Sequence, residues 1–88
     1  MYMSEGKKIK QFTFGSFIEG GEEKEYSFKE AKERIASGEK IVAAGEIIYN
    51  KQKTRVRTAH LTEVKFVKGY IHLITNQMIY QIEYKAAV

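Results

Sequence analysis

The side chains able to do chemistry in this 88-residue chain are few and poorly paired. Aspartate and cysteine are both absent. Every acid–base carboxylate must therefore be a glutamate, and no thiolate exists to act as nucleophile, metal ligand or disulfide partner. Ser4, Ser16, Ser27 and Ser37 fall in an expected tail, a bend, a helix cap and a helix end, and none sits in a G-x-S-x-G elbow. His60 and His72 are separated by twelve positions on different expected strands, without H-x-x-x-H spacing. A metal would need a glutamate as third ligand, so both read as surface or partly packed histidines. Glu46 alone stands inside an apolar stretch. Buried glutamate is rare, so it reads as an outward-facing or edge residue rather than a buried acid of raised pKa. Gly20-Gly21 opens no phosphate-binding loop, because a run of glutamates follows and would repel the anion. No catalytic group, metal or cofactor is expected. The chain reads as a binding protein and not an enzyme.

Two charged constellations remain. Lys51, Lys53, Arg55 and Arg57 are spaced by two, which on a strand puts all four on one face. Four adjacent like charges repel unless solvent, glutamates or a polyanion lies over them. Tyr49, Tyr70 and Tyr80 are candidates for an aromatic platform beside them, as used by single-strand binders. The plainer reading is a solvated face with tyrosines packed at its rim. The second constellation, Glu19, Glu22, Glu23 and Glu25, reads as a solvated loop or as a docking loop for a basic partner. The charge divides along the chain. Residues 1–46 hold nine glutamates against eight lysines and arginines, and residues 47–88 hold two against seven. A net charge of +4 is modest for a nucleic-acid binder, and no RNP, KH or helix-turn-helix pattern is present. A protein partner is preferred to nucleic acid on these grounds, with nucleic acid the alternative and a small ligand a distant third.

Those side chains need elements to position them. Residues 1–7 read as a flexible tail and 8–88 as a single domain. Ile9, Phe12, Phe14, Phe17 and Ile18 mark one or two short strands, with a bend or bulge at Gly15-Ser16. Residues 19–25 read as a polar turn. Ser27 and Glu30 form a capping box, and Phe28, Ala31, Lys32, Ile35 and Ala36 follow helical spacing up to Gly38. Tyr26, at N′, is placed to staple against Ala31. Ile41–Tyr49 is apolar enough for a central strand, followed by a turn at 50–53. Thr54–His60 and Thr62–Val67 alternate as strands. Lys68-Gly69 and Asn76-Gln77 mark turns before Tyr70–Thr75 and Met78–Tyr84. The prediction is an α+β fold, an antiparallel sheet or small, partly open barrel of five or six strands with one short helix, order β(β)αββββ.

Phe28-Lys29-Glu30-Ala31 followed by Gly38-Glu39-Lys40-Ile41 resembles the opening segment of small phage-encoded accessory proteins of the Thoeris anti-defence 2 type. The resemblance implies an accessory or inhibitor protein that works by binding. Val42-Ala43-Ala44-Gly45 lacks the tryptophan of that opening, and no ligand residue is carried over. The N-terminus has no apolar signal core and no stretch is long enough to span a membrane, so a cytoplasmic protein is expected. Exposed sheet edges suggest self-association, with a symmetric dimer the commonest form.

Overall fold

Helix α1, Phe28–Ala36, starts and stops where its caps place it. The computed structural model describes residues 7–83. Ser27 has extended dihedrals, and its Oγ accepts from the Glu30 N–H at 3.0 Å. At the other end Gly38 takes φ +95°. The Gly38 N–H donates to Ile35 O at 2.9 Å and the Glu39 N–H to Arg34 O at 3.1 Å. That pair of bonds is the Schellman arrangement, which needs a residue tolerant of positive φ at its centre. Ser27→Ala should lower stability by about 1 kcal/mol with the fold retained, because a first-turn N–H loses its acceptor. Urea melts of the two proteins measure it, and superimposable curves would mean the hydroxyl contributes nothing.

Eight strands accompany this helix among the described residues: β1 (Lys8–Gln11), β2 (Thr13–Glu19), β3 (Glu22–Lys24), β4 (Ile41–Tyr49), β5 (Gln52–Arg57), β6 (Glu63–Val67), β7 (Tyr70–Ile74) and β8 (Met78–Glu83). They form two four-stranded sheets, β1-β8-β7-β6 and β3-β2-β4-β5. The α+β class and the dominance of antiparallel pairing agree with the sequence. The strand number and order do not. Three strands precede the helix and five follow it, and β1 pairs with β8 in parallel. The supposed turn at 19–25 is a hairpin, because Gly20 and Gly21 both take positive φ (63° and 83°) and close a two-residue turn. Likewise Asn50 and Lys51 (φ 52° and 63°) form the whole of the next turn, so β5 begins two residues earlier than expected. β4 is central, between β2 and β5. The expected bulge is present, where the β2–β4 register shifts between Phe14 and Ser16. Residues 1–6 of the expected tail and residues 84–88 lie outside the described residues.

The chain crosses between sheets twice without forming a closed barrel. The Phe12 N–H donates to Gln81 O at 2.9 Å, so the β1–β8 ladder runs into the corner where β2 departs for the other sheet. After β5, Thr58 and Leu61 bond back to the start of β4 through Ala43 O and Ile41 O before β6 begins. Phe12, Phe17, Ala31, Ile41, Ala43, Leu61, Val64, Ile71 and Leu73 form the core between the sheets. Helix α1 closes one end. Phe28 lies 4.8 Å from Phe14 and 5.5 Å from Phe17, centroid to centroid, and Ile35 packs against the same cluster. The Lys32 stem runs past β6 to put its Nζ 2.8 Å from Val64 O. Among the described residues no helix is long and apolar enough to cross a membrane.

Candidate binding face

The register of the second sheet decides which side chains share its outer surface. Ile41 and Ala43 of β4 are fully buried, so the odd-numbered positions face the core and Val42, Ala44, Glu46 and Ile48 face outward. Their β5 partners in that row are Arg57 opposite Ala44, Arg55 opposite Glu46 and Lys53 opposite Ile48. The predicted basic row is therefore a real face for three of its four members. Lys51 belongs to the turn at the hairpin tip. On the other side of β4, Thr13 lies opposite Glu46 and Ser16 opposite Ala44.

Small side chains in the middle of this face leave it hollow. Thr13, Gly15, Ser16 and Ala44 floor a concavity of about 630 Å³, with Arg55 and Arg57 on one wall and Glu23 and Glu46 on the others. The floor is compact because β2 and β4 approach closely at Gly15 and Gly45, where a methyl group would meet the facing chain. None of the ion pairs among the described residues involves Lys53, Arg55 or Arg57. Two cations and two carboxylates thus face one hollow without being joined to each other. Sequence reading missed the floor residues, although the unusually small pair Gly15-Ser16 opposite Ala44-Gly45 was the available signal.

The aromatic candidates do not gather there. Tyr49 is 60% exposed at the end of β4, on the opposite side of the strand from Glu46. Tyr70 begins β7 in the other sheet, between Val67 and Glu83. Tyr80 is half-buried with its ring edge against Phe12 at 5.2 Å. The candidate stacking platform beside the basic row is not assembled by these three tyrosines.

The acidic set is also dispersed. Glu23 lines the hollow, Glu22 pairs with Lys24 at 3.3 Å, and Glu25 is exposed in the segment before the helix. Glu19 turns to the opposite face and joins a cluster around Arg34. The Arg34 guanidinium lies 2.9 Å from Glu30, 3.2 Å from Glu39 and 3.5 Å from Glu19, and sits over the Tyr26 ring at 4.8 Å. Tyr26 stacks on Phe17 at 5.2 Å and donates its hydroxyl to Glu19 at 3.3 Å. The Glu19 and Glu39 carboxyls share a hydrogen bond, which raises Glu19 above and lowers Glu39 below the ordinary carboxylate value. Burial, followed by the adjacent Glu19 charge, pushes the Tyr26 phenol up to about 12. The cluster pins the helix to the β2–β3 hairpin. Its Glu30–Arg34 member spans one turn of the helix.

The two histidines stand apart. His60 is exposed in the β5–β6 connection, and His72 Nε2 lies 2.8 Å from Gln81 Oε1 on the outer face of the first sheet. Among the described residues no three potential ligands gather around a metal-sized space. No protein-family model, curated protein or solved structure matches the chain.

Proposed function

We propose that this is a small, non-catalytic binding protein that acts through protein–protein contacts, with the hollow outer face of the second sheet and its β5 rim as the contact surface. The observation that carries this reading is the charge balance of the hollow, in which Arg55 and Arg57 face Glu23 and Glu46. A polynucleotide presents one sign of charge along its whole length, so the two carboxylates that line the hollow repel it. A polypeptide can offer both signs, and charge matching of that kind selects partners and suppresses wrong ones. The resemblance of residues 28–41 to phage accessory proteins adds a phage or mobile-element setting, and the cytoplasm is the compartment we assign to it.

The nucleic-acid reading rests on Lys53, Arg55 and Arg57 forming one unpaired row along β5. Neutralising two or three phosphates would give a log–log salt slope of roughly −2 to −3. Fluorescence anisotropy with DNA and RNA oligonucleotides, at about 50 and about 200 mM salt, separates the two readings. The expected result is no saturable binding at tens of micromolar protein. In parallel, the wild type and the Arg55→Gln/Arg57→Gln pair are used to capture partners from the producing cell's lysate. Nuclease-resistant capture that is lost in the double variant is expected. Saturable oligonucleotide binding with that slope, flattened by about two in the double variant, would replace the protein reading with the nucleic-acid one.

A further inference from the structure

We propose that the free edge of β5 accepts an extended segment of alternating acidic and apolar residues from a partner protein, added as a fifth strand. This rests on the protein-binding reading above and names its partner class. The Asn50–Lys51 turn fixes the phase of the β4–β5 ladder, because residues flanking a two-residue turn exchange both backbone bonds. Tyr49 with Gln52, Ile47 with Thr54 and Gly45 with Val56 are then the bonded pairs. The next bond in that phase is present, from the Thr58 N–H to Ala43 O at 2.8 Å. Lys53, Arg55 and Arg57 therefore turn their backbone N–H and C=O groups away from β4, toward the side where β5 has no neighbour among the described residues.

The residues with free backbone groups are the same ones that carry the cations. A strand laid along this edge finds a donor, an acceptor and a positive side chain at each of Lys53, Arg55 and Arg57. A residue paired opposite Arg55 projects its side chain on the face that Arg55 occupies. Carboxylates at alternate positions of the incoming segment thus meet the three cations one to one from outside the hollow, with β5 between them and Glu46, which lies opposite Arg55 on β4. The intervening residues turn to the inner face beside Thr54 and Val56, where Val56 already packs against the core, and this favours apolar side chains there. A second copy of the chain fits badly. Antiparallel self-pairing centred on Arg55 sets Arg55 on Arg55 and Lys53 on Arg57. The other edges are less open. Lys32 occupies the Val64 carbonyl on β6, β3 has three residues, and β1 has four and carries Lys8 and Lys10.

The test uses the full chain and a short, blocked, fluorescent peptide of alternating Glu and Val, in three forms. One is unmodified, one is N-methylated at the Glu amides that would bond to β5, and one at the Val amides that would point to solvent. A single-stranded oligonucleotide is titrated alongside. The proposal expects saturable binding of the unmodified and Val-methylated peptides, with the Glu-methylated form weaker by at least about tenfold. Arg55→Gln with Arg57→Gln should weaken the unmodified peptide by about three- to tenfold. Equal binding of all three peptides would replace strand addition with simple charge attraction, and no peptide binding at all would remove it. Either result leaves the protein-binding reading standing if nuclease-resistant capture by the wild type persists. Binding of the oligonucleotide alone overturns both.

Discussion

Phe17→Ala is expected to cost about 3–5 kcal/mol, the range for deleting a buried aromatic side chain. Phe17 is 1% exposed and sits where β2, the helix and the pre-helix segment converge. Its ring centroid is 4.7 Å from Phe14, 5.2 Å from Tyr26 and 5.5 Å from Phe28. Removing the ring takes packing from all three at once and leaves a cavity under α1. Tyr26 would lose the surface that supports it in the Arg34 cluster, so the loss should extend to the β2–β3 hairpin. A domain of this size has roughly 4–13 kcal/mol in total, so the variant should be close to unfolding at 25 °C. Urea or thermal melts followed by circular dichroism measure the effect. A loss below about 1 kcal/mol would contradict the packing of that aromatic cluster.

Gly45→Ala is expected to destabilise by about 1–3 kcal/mol or more, although ordinary strand preference argues the other way. Glycine in a strand interior is usually worse than alanine by about 0.5–1 kcal/mol, because it loses more freedom on folding. Here the added methyl would lie 2.6 Å from the Phe12 ring and closer still to the Thr13 carbonyl oxygen. The oxygen is backbone, held in the β2–β4 ladder, and cannot rotate aside. Phe12 is itself buried at the corner between the sheets, edge-on to Tyr80. The variant should therefore open the corner and widen the hollow on the outer face. The sign is the test. An alanine protein as stable as the wild type, or more so, would show that β2 and β4 do not approach as described. Gly38→Ala is a useful contrast, because no atom crowds that position and only its φ of +95° opposes a side chain. About 1–2 kcal/mol is expected there.

These two sites mark the difference between what is readable locally and what is not. The helix was legible because its signals are consecutive: Ser27 and Glu30 at one end, Gly38 at the other, and an apolar stripe between. The centrality of β4 followed from its lack of polar residues, and the bulge from Gly15-Ser16. The basic row followed from a spacing of two, which needs only a strand to become a face. The Gly20-Gly21 hairpin was misread because charged residues on both sides suggested a loop. A three-residue edge strand with one face in solvent has little apolar pattern to reveal it.

The sequence by itself determined the class of the fold, the helix and its caps, the central strand and the shared face of Lys53, Arg55 and Arg57. Each depends on contacts within a few residues or on the period of one strand. Only the tertiary structure decided that Glu46 stands beside Arg55 on the neighbouring strand and that Glu23 lines the same hollow as Arg55 and Arg57. It also decided that Tyr70 and Tyr80 belong to the other sheet, that β1 pairs with β8 across nearly the whole chain, and that β5 keeps one edge free among the described residues. Those features depend on which strands become neighbours and in what register. Shifting a strand by one residue exchanges its two faces, and no local pattern in the chain specifies its partner.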